Sequence, residues 1–534
     1  MTNLNIRLKE YAIPWWACLV ALGLSLALLS GCYTGWYNDD ANYLCLARSI
    51  CQGTYTDLYK PEPVFHRRYP PLFPLMLAPF QWLAPERIEL ARIPALICGA
   101  LLPWATWRWL RAESSRVRTV TTWGVALNPL ILCYSGLVLS DIPFLFALIW
   151  FLGGSSKPIR PWVWAFGSAV LLYLRAAAIA LFPACVLSLF FQHKQRKGAV
   201  LYAILTVVLA LPYLAQQSYS QDLHTLPPGL VQFNLNFYFF TLPSTLWGNA
   251  ECFPPIHGLP SAGLIVASVV TWAVLIRGVA RRGFNLESLF FLLFLGQLSV
   301  WPYQEPRFLI PVIPIGVVLL VEGLPRAGKL GKVLIPLLAL VQMAFLVRTW
   351  QISHQPNLRN QAPEGYWRWL AGQPAGPILD VHIMTWVKTG RRVILAPPAG
   401  TEPEMALVMA LRSRAQYITI YLPQGRSQSL APLSEPLWRA IHLAPELFQL
   451  ELEDPQDALL VFRRLPGGEN WLAAADHYEA GVQAAQQGRV QDALDQFALA
   501  LRKAPAFRQA RLNRVILLRL LGREAEARVE ERQK

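Results

Sequence analysis

The stretch GWYNDDANYLCLARSI, Gly35 to Ile50, decides how this chain is read. It follows an apolar run, residues 13–32, long enough to span a bilayer, and sets two adjacent carboxylates, Asp39 and Asp40, at the head of a segment with helical character. One reading is helix capping, since an aspartate at a helix start satisfies free amides and complements the dipole. Capping explains one aspartate more easily than two. The other reading is a reaction carboxylate at a membrane surface, where a lipid-borne substrate meets an aqueous one.

Composition supports a bilayer setting. The 534 residues are 54% hydrophobic and only 15% charged, outside the range of soluble globular domains. A formal net charge of +15 sits in short Lys/Arg clusters between apolar runs, which is the pattern of cytoplasmic loops, so no nucleic-acid partner is expected. The eight cysteines are scattered without CxxC or Cys/His spacing, which argues against a zinc site or disulfide framework.

Apolar runs of spanning or near-spanning length fall at 13–32, 92–109, 119–137, 142–154, 161–174, 176–192, 199–215, 260–277, 286–302, 307–323 and 332–349, so about eleven transmembrane helices are expected. Basic clusters around Arg7, Arg111, Lys157, Lys194, Arg281 and Lys329 can all face the cytoplasm at once. That parity places the N-terminus inside and everything after residue 350 outside. It also excludes YPPLFPLMLAPFQWL, Tyr69 to Leu83, as a span and puts it on the outer interface, and it makes 161–192 a hairpin whose outer tip carries Arg175. LLSGC, ending at Cys32, also fits a lipoprotein cleavage signal, but the run is long enough to remain as a first helix.

DDANYLCLARSICQGTY followed by RRYPPLFPLMLAPF resembles the first outer loop of the polyprenyl-phosphate-dependent glycosyltransferases of the C superfamily, which include protein O-mannosyltransferases and the lipid A aminoarabinose transferase. SGLVLSDIPFLF resembles their second outer loop with its acidic residue, here Asp141. YLRAAAIALFPA resembles the hairpin tip carrying a cation, and YQEPRFLIPVIP the late Arg-aromatic-Leu-x-Pro segment. These matches, in order and on one side, span residues 35–320.

The resemblance implies sugar transfer from an undecaprenyl-phosphate-linked donor to a protein, lipid A or glycan acceptor at the outer face of a bacterial inner membrane. Such a transfer needs a carboxylate to take the acceptor's proton and cations to neutralise the departing phosphate. Asp39 is the expected base, with Asp40 or Asp141 orienting it or the acceptor. Arg175 and Arg307 are the expected phosphate partners, since guanidinium binds phosphate bidentately. For each the plain alternative is an interfacial arginine that snorkels to headgroups. His66 and Arg68 precede the Pro-Pro turn and are further donor-phosphate candidates, or a basic interfacial anchor. Tyr69 stands where the family often has His or Lys, which leaves the cation there in question. No cofactor beyond the lipid-linked sugar is implied and no metal ligand set is assigned; a divalent cation is left open.

QFNLNFYFFTLPSTLWGNAECFPPIHG, in the outer loop 216–259, reads equally as a mobile cover over an acceptor groove and as an interfacial aromatic belt. Beyond the membrane domain, 1–349, alternating strand and helix patterns imply an extracytoplasmic α/β domain over 350–466 with a largely parallel sheet. The last segment, 471–534, is a helical repeat: Gly488 and Gly522, Arg489 and Arg523, and Ala493 and Ala527 each recur 34 residues apart, the tetratricopeptide period. Such a unit is expected to pack on the α/β domain, another copy or a partner protein. The competing functions are a lipid or glycan flippase and a membrane-anchored assembly protein acting through its tail. The outward clustering of charges and the lack of an inverted repeat weigh against the former.

Overall fold

A computed structural model describes residues 2–29, 38–154, 160–215, 229–249, 262–324, 329–353, 363–423 and 430–532. The chain forms two compact units, Met1–Asp57 with Phe65–Arg359, and Leu58–Val64 with Asn360–Lys534. Cys32 and Gly35 to Tyr37 lie outside the described residues, so the cleavage reading is not addressed there.

The first unit is helical, with apolar helices at the expected positions. Among the described residues, four are long and apolar enough to cross a membrane: Ile88–Trp109, Arg196–Leu214, Ala262–Arg282 and Pro306–Gly323. The remaining apolar helices do not meet that measure over their described residues, so the structure does not count eleven crossings. Two of the four carry their apolar side chains outward. Val200, Ile204, Val208 and Leu211 on one, and Val266, Val270 and Ile276 on the other, are all more than half exposed, a surface that only lipid covers at low cost. This is a polytopic membrane protein.

Pro306–Gly323 is the opposite case, 94% buried within the protein. It packs so closely on Ala262–Arg282 that a Cβ at Gly278 would stand 2.1 Å from the carbonyl oxygen of Leu319, and one at Gly323 2.0 Å from that of Val274. Only glycine allows that backbone contact.

Two expectations are corrected. The run 119–137 is not one continuous helix but two, Ser115–Ala126 and Pro129–Ser135. Pro129 cannot continue the first, and the Asn128 side chain accepts the Ile131 amide to start the second. Within the aromatic stretch expected as an outer loop, Leu230–Leu246 is a helix tied down by Asn234. The Asn234 Nδ2 stands 3.2, 3.0 and 2.7 Å from the carbonyl oxygens of Leu298, Ser299 and Trp301, and its Oδ1 accepts Gln304 Nε2 at 2.6 Å. That part is fixed rather than a free cover. Within Tyr69 to Leu83 the helix Leu72–Leu83 is only 12 residues long.

The second unit holds a five-stranded sheet of β1 Ile378–Asp380, β2 Val393–Leu395, β3 Tyr417–Tyr421, β4 Phe448–Asp454 and β5 Leu459–Arg464, in the order β2-β1-β3-β5-β4. The sheet is mixed, where a largely parallel one was expected. β1 pairs parallel with β2 and β3, whereas β5 runs antiparallel to both β3 and β4. The link from β4 to β5 is too short for a crossover, so the chain must turn back as a hairpin. The Tyr59 carbonyl extends the free edge by accepting the Val393 amide at 2.7 Å.

Helices Glu469–Gln486, Val490–Lys503, Arg508–Leu520 and Glu524–Arg532 follow. The turns at Gly488 and Gly522 share nearly the same left-handed backbone, φ +74° and +73°, at the repeat distance read from the sequence. The tail packs on the α/β domain, as one of the expected alternatives had it. Val408, on the helix Pro403–Arg412, shares a core with Ala474, Ala475, Phe497 and Phe507, and Glu404 accepts the Gln509 amide at 2.8 Å.

Candidate active site

Asp39 and Asp40 open the helix Asn38–Cys51. Asp40 is fully buried, its Oδ1 2.9 Å from the Ala41 amide, which fits a structural helix-start role. Asp39 keeps 28% of its side chain exposed and is gripped from both sides. Arg307 Nη2 reaches its Oδ2 at 2.8 Å, and the Tyr69 hydroxyl donates to its Oδ1 at 2.5 Å.

Arg307 lies in the short 3-10 helix Pro306–Val312, where the Pro-rich sequence discourages an α-helical start. Its guanidinium also holds Glu305, Nε to Oε2 at 2.5 Å. Two carboxylates therefore share one cation. Burial pushes the Asp39 carboxyl up, but Arg307, Tyr69 and Arg68 together outweigh it and hold the group below its ordinary value. For Glu305 burial wins over Arg307, and the carboxyl is raised. The two carboxyls are thus pushed in opposite directions.

A second ion pair lies alongside. Arg175, extended at the hairpin tip after Leu174, reaches Asp141, the first residue of the helix Asp141–Gly154, at 2.8 Å. Arg175 Nη1 also donates to Ser140 Oγ at 3.1 Å, and Ser140 pairs with the Tyr43 hydroxyl at 2.9 Å. Tyr43 in turn packs on Tyr69, ring centroids 4.9 Å apart. Phe308 closes the arrangement: the guanidinium carbons of Arg175 and Arg307 lie 6.0 and 5.3 Å from its ring centre. Asp39, Arg307, Asp141 and Arg175, drawn from four separate stretches, thus belong to one network.

His66 is placed differently from the sequence expectation. It is buried, its Nδ1 2.6 Å from Asp57 and its Nε2 accepting the Tyr69 amide at 2.8 Å. Both ring nitrogens are committed within the protein. Arg68 is exposed, its guanidinium over the rings of Tyr69 and Tyr303 at 5.7 and 6.0 Å.

Sequence reasoning missed Tyr69, Glu305, Ser140 and Phe308 as members of the network. Glu305 and Phe308 lie inside the quoted YQEPRFLIPVIP motif and were open to suspicion. Tyr69 was noticed only as a missing cation.

Beside the network, an apolar groove of about 550 Å³ is lined by Ile50, Tyr55, Leu72, Phe166, Val170 and Tyr173, among others. Among the described residues, no group of three or more His, Cys, Asp or Glu is arranged to hold a metal ion. Asp39 and Glu305 are both paired with Arg307, and Asp141 with Arg175.

No family model matches the chain. Among solved structures it is similar to ArnT from Cupriavidus metallidurans in the apo state, with a TM-score of 0.53 and 12% identity, covering 87% of this chain and 99% of that one. ArnT from the same organism bound to undecaprenyl phosphate gives a TM-score of 0.53 and 11% identity over 85% and 98%. At such identities the likeness is one of fold. A segment of 60 residues, 11% of the chain, is 40% identical to the uncharacterized protein MJ0572 of Methanocaldococcus jannaschii over 70% of that protein. Through that segment the chain belongs to the family of MJ0572, within a protein whose larger fold is that of ArnT.

Proposed function

We propose that the chain is an integral-membrane glycosyltransferase of the C superfamily, moving a sugar from an undecaprenyl-phosphate-linked donor to a protein, lipid or glycan acceptor at the outer face of the bacterial inner membrane. The observation that carries this reading is the pair of carboxylate–arginine contacts, Asp39–Arg307 and Asp141–Arg175, brought together around Phe308. The ArnT-like fold supports it.

In the reaction the acceptor oxygen or nitrogen attacks the anomeric carbon while the bond from that carbon to the phosphate oxygen breaks. The acceptor's proton passes to Asp39, and the lipid phosphate leaves with the bonding electron pair. A single displacement of this kind inverts the anomeric centre. Asp141 orients the acceptor, and Asp40 fixes the start of the helix that carries Asp39. Arg307 and Arg175 offset the developing phosphate charge, with Arg68 as the exposed cation that first meets it. His66 acts indirectly, through Tyr69. The apolar groove suits a polyisoprenyl chain, since its lining offers almost no polar partner.

Around this centre we place eleven crossings with the N-terminus inside, an extracytoplasmic α/β domain over 350–466 that supports or presents the acceptor, and a tetratricopeptide-like tail over 471–534 that takes a protein partner. The test is transfer by the purified protein from a panel of undecaprenyl-phosphate sugars, with Asp39→Asn beside the wild type. Transfer that falls by on the order of 10²- to 10⁴-fold in the variant is expected, the usual worth of a positioned proton acceptor. Undiminished transfer by Asp39→Asn would remove Asp39 from the chemistry.

A further inference from the structure

The contacts around Tyr69 go beyond what packing of an interfacial tyrosine requires. Its hydroxyl donates to Asp39 Oδ1 at 2.5 Å. Its ring stacks on His66, centroids 5.3 Å apart with only 4° between the planes, and rests on Tyr43 at 4.9 Å. Its backbone is held at both ends. The amide donates to His66 Nε2 at 2.8 Å, and the carbonyl accepts the Tyr55 hydroxyl at 2.8 Å.

His66 is in turn fixed by Asp57. A ring nitrogen that accepts an amide proton carries none itself, so the network assigns the His66 proton to Nδ1, from which it donates to Asp57 at 2.6 Å. Both residues are buried. Immediately after Tyr69, Pro70 and Pro71 restrict the backbone further.

We infer that Tyr69 is a positioning residue for the Asp39 carboxylate, itself set in place by the Asp57–His66 pair. With Arg307 on one oxygen and Tyr69 on the other, the carboxylate cannot rotate, and each oxygen retains one lone pair for an incoming hydroxyl. This assigns a purpose to the tyrosine that stands in a position where the resembled family often has a cation. It rests on the sugar-transfer reading for its importance but not for its measurement.

Tyr69→Phe keeps the ring stack and removes one O–H. The hydrogen bond helps hold Asp39 below its ordinary value, against burial, so its loss raises that pKa. A base must be ionised to act, so the acid limb of the pH–rate profile moves to higher pH, a shift that lost packing alone would not produce. We expect kcat to fall on the order of 10- to 100-fold, the worth of a hydrogen bond to a charged group, with the donor KM nearly unchanged. His66→Ala, which frees the backbone but leaves the hydroxyl, should lower kcat less and move the acid limb in the same direction.

A readout independent of turnover is the infrared carboxyl band of Asp39, identified by its loss in Asp39→Asn. In Tyr69→Phe its titration should move to higher pH. An unmoved band together with wild-type kcat would overturn the inference. A moved band in a protein whose wild type transfers no sugar would sustain the Tyr69–Asp39 coupling and sink the transferase reading instead.

Discussion

Asp141 and Arg175 meet at 2.8 Å in a setting where the carboxylate side chain is only 1% exposed. The aspartate begins one helix and the arginine ends another, so the contact joins the start of Asp141–Gly154 to the end of Pro161–Leu174. A buried pair of this kind is costly to break and often cheap to replace as a whole, because the penalty lies in the charge left alone.

That asymmetry gives the first prediction. Arg175→Met should destabilise the protein by roughly 3–5 kcal/mol, by stranding the Asp141 charge. Arg175→Met combined with Asp141→Leu should recover most of that loss while restoring no transfer. Thermal unfolding in detergent, read beside activity, checks both halves. Equal destabilisation by the single and double variants would count against the ion pair.

Asn234 gives the second. Its amide serves the carbonyls at the end of the helix Leu286–Ser299 and the segment leading to Glu305 and Arg307, and it is fully buried. Asn234→Leu keeps the volume and strands those carbonyls, at a cost on the order of 2–4 kcal/mol. Transfer should fall along with stability, since Glu305 and Arg307 lose their fixed approach. A variant as stable as wild type in detergent melts would show that water satisfies these groups.

Asp380, at the end of β1, gives the third. Burial raises its carboxyl from 3.8 to about 6, although Thr385, the His382 amide and Tyr366 donate to it. Because the folded value lies above the unfolded one, its contribution is full below about 3.8 and is lost as pH rises through about 6. The difference amounts to roughly 3 kcal/mol. In the whole protein, Asp380→Asn should therefore look increasingly favourable relative to wild type between pH 4 and pH 7 in melting experiments. A gap between the two that does not change with pH would contradict this.

Much of the fold was legible because hydrophobicity is read locally. A bilayer imposes long apolar runs and a pleated sheet short β-branched ones, so apolar helices, an α/β segment and the glycines 34 residues apart at Gly488 and Gly522 could be placed from the chain alone. Boundaries set by single residues were less visible. Pro129 breaks a run whose average hydropathy still looks continuous. The sheet's mixed direction depends on how short the β4–β5 link is, which strand patterns do not register.

By itself the sequence determined which residues carry charge amid apolar surroundings, and the family resemblance of their motifs then named Asp39, Asp141, Arg175 and Arg307. Their partners were decided only by tertiary structure. Whether Arg307 holds Glu305 as well as Asp39, and whether Tyr69 is a missing cation or a hydrogen-bond donor, depends on ångström-scale distances between segments that lie tens to hundreds of residues apart. Hydrogen bonds and ion pairs act only at such short range, and no periodicity in the chain encodes them.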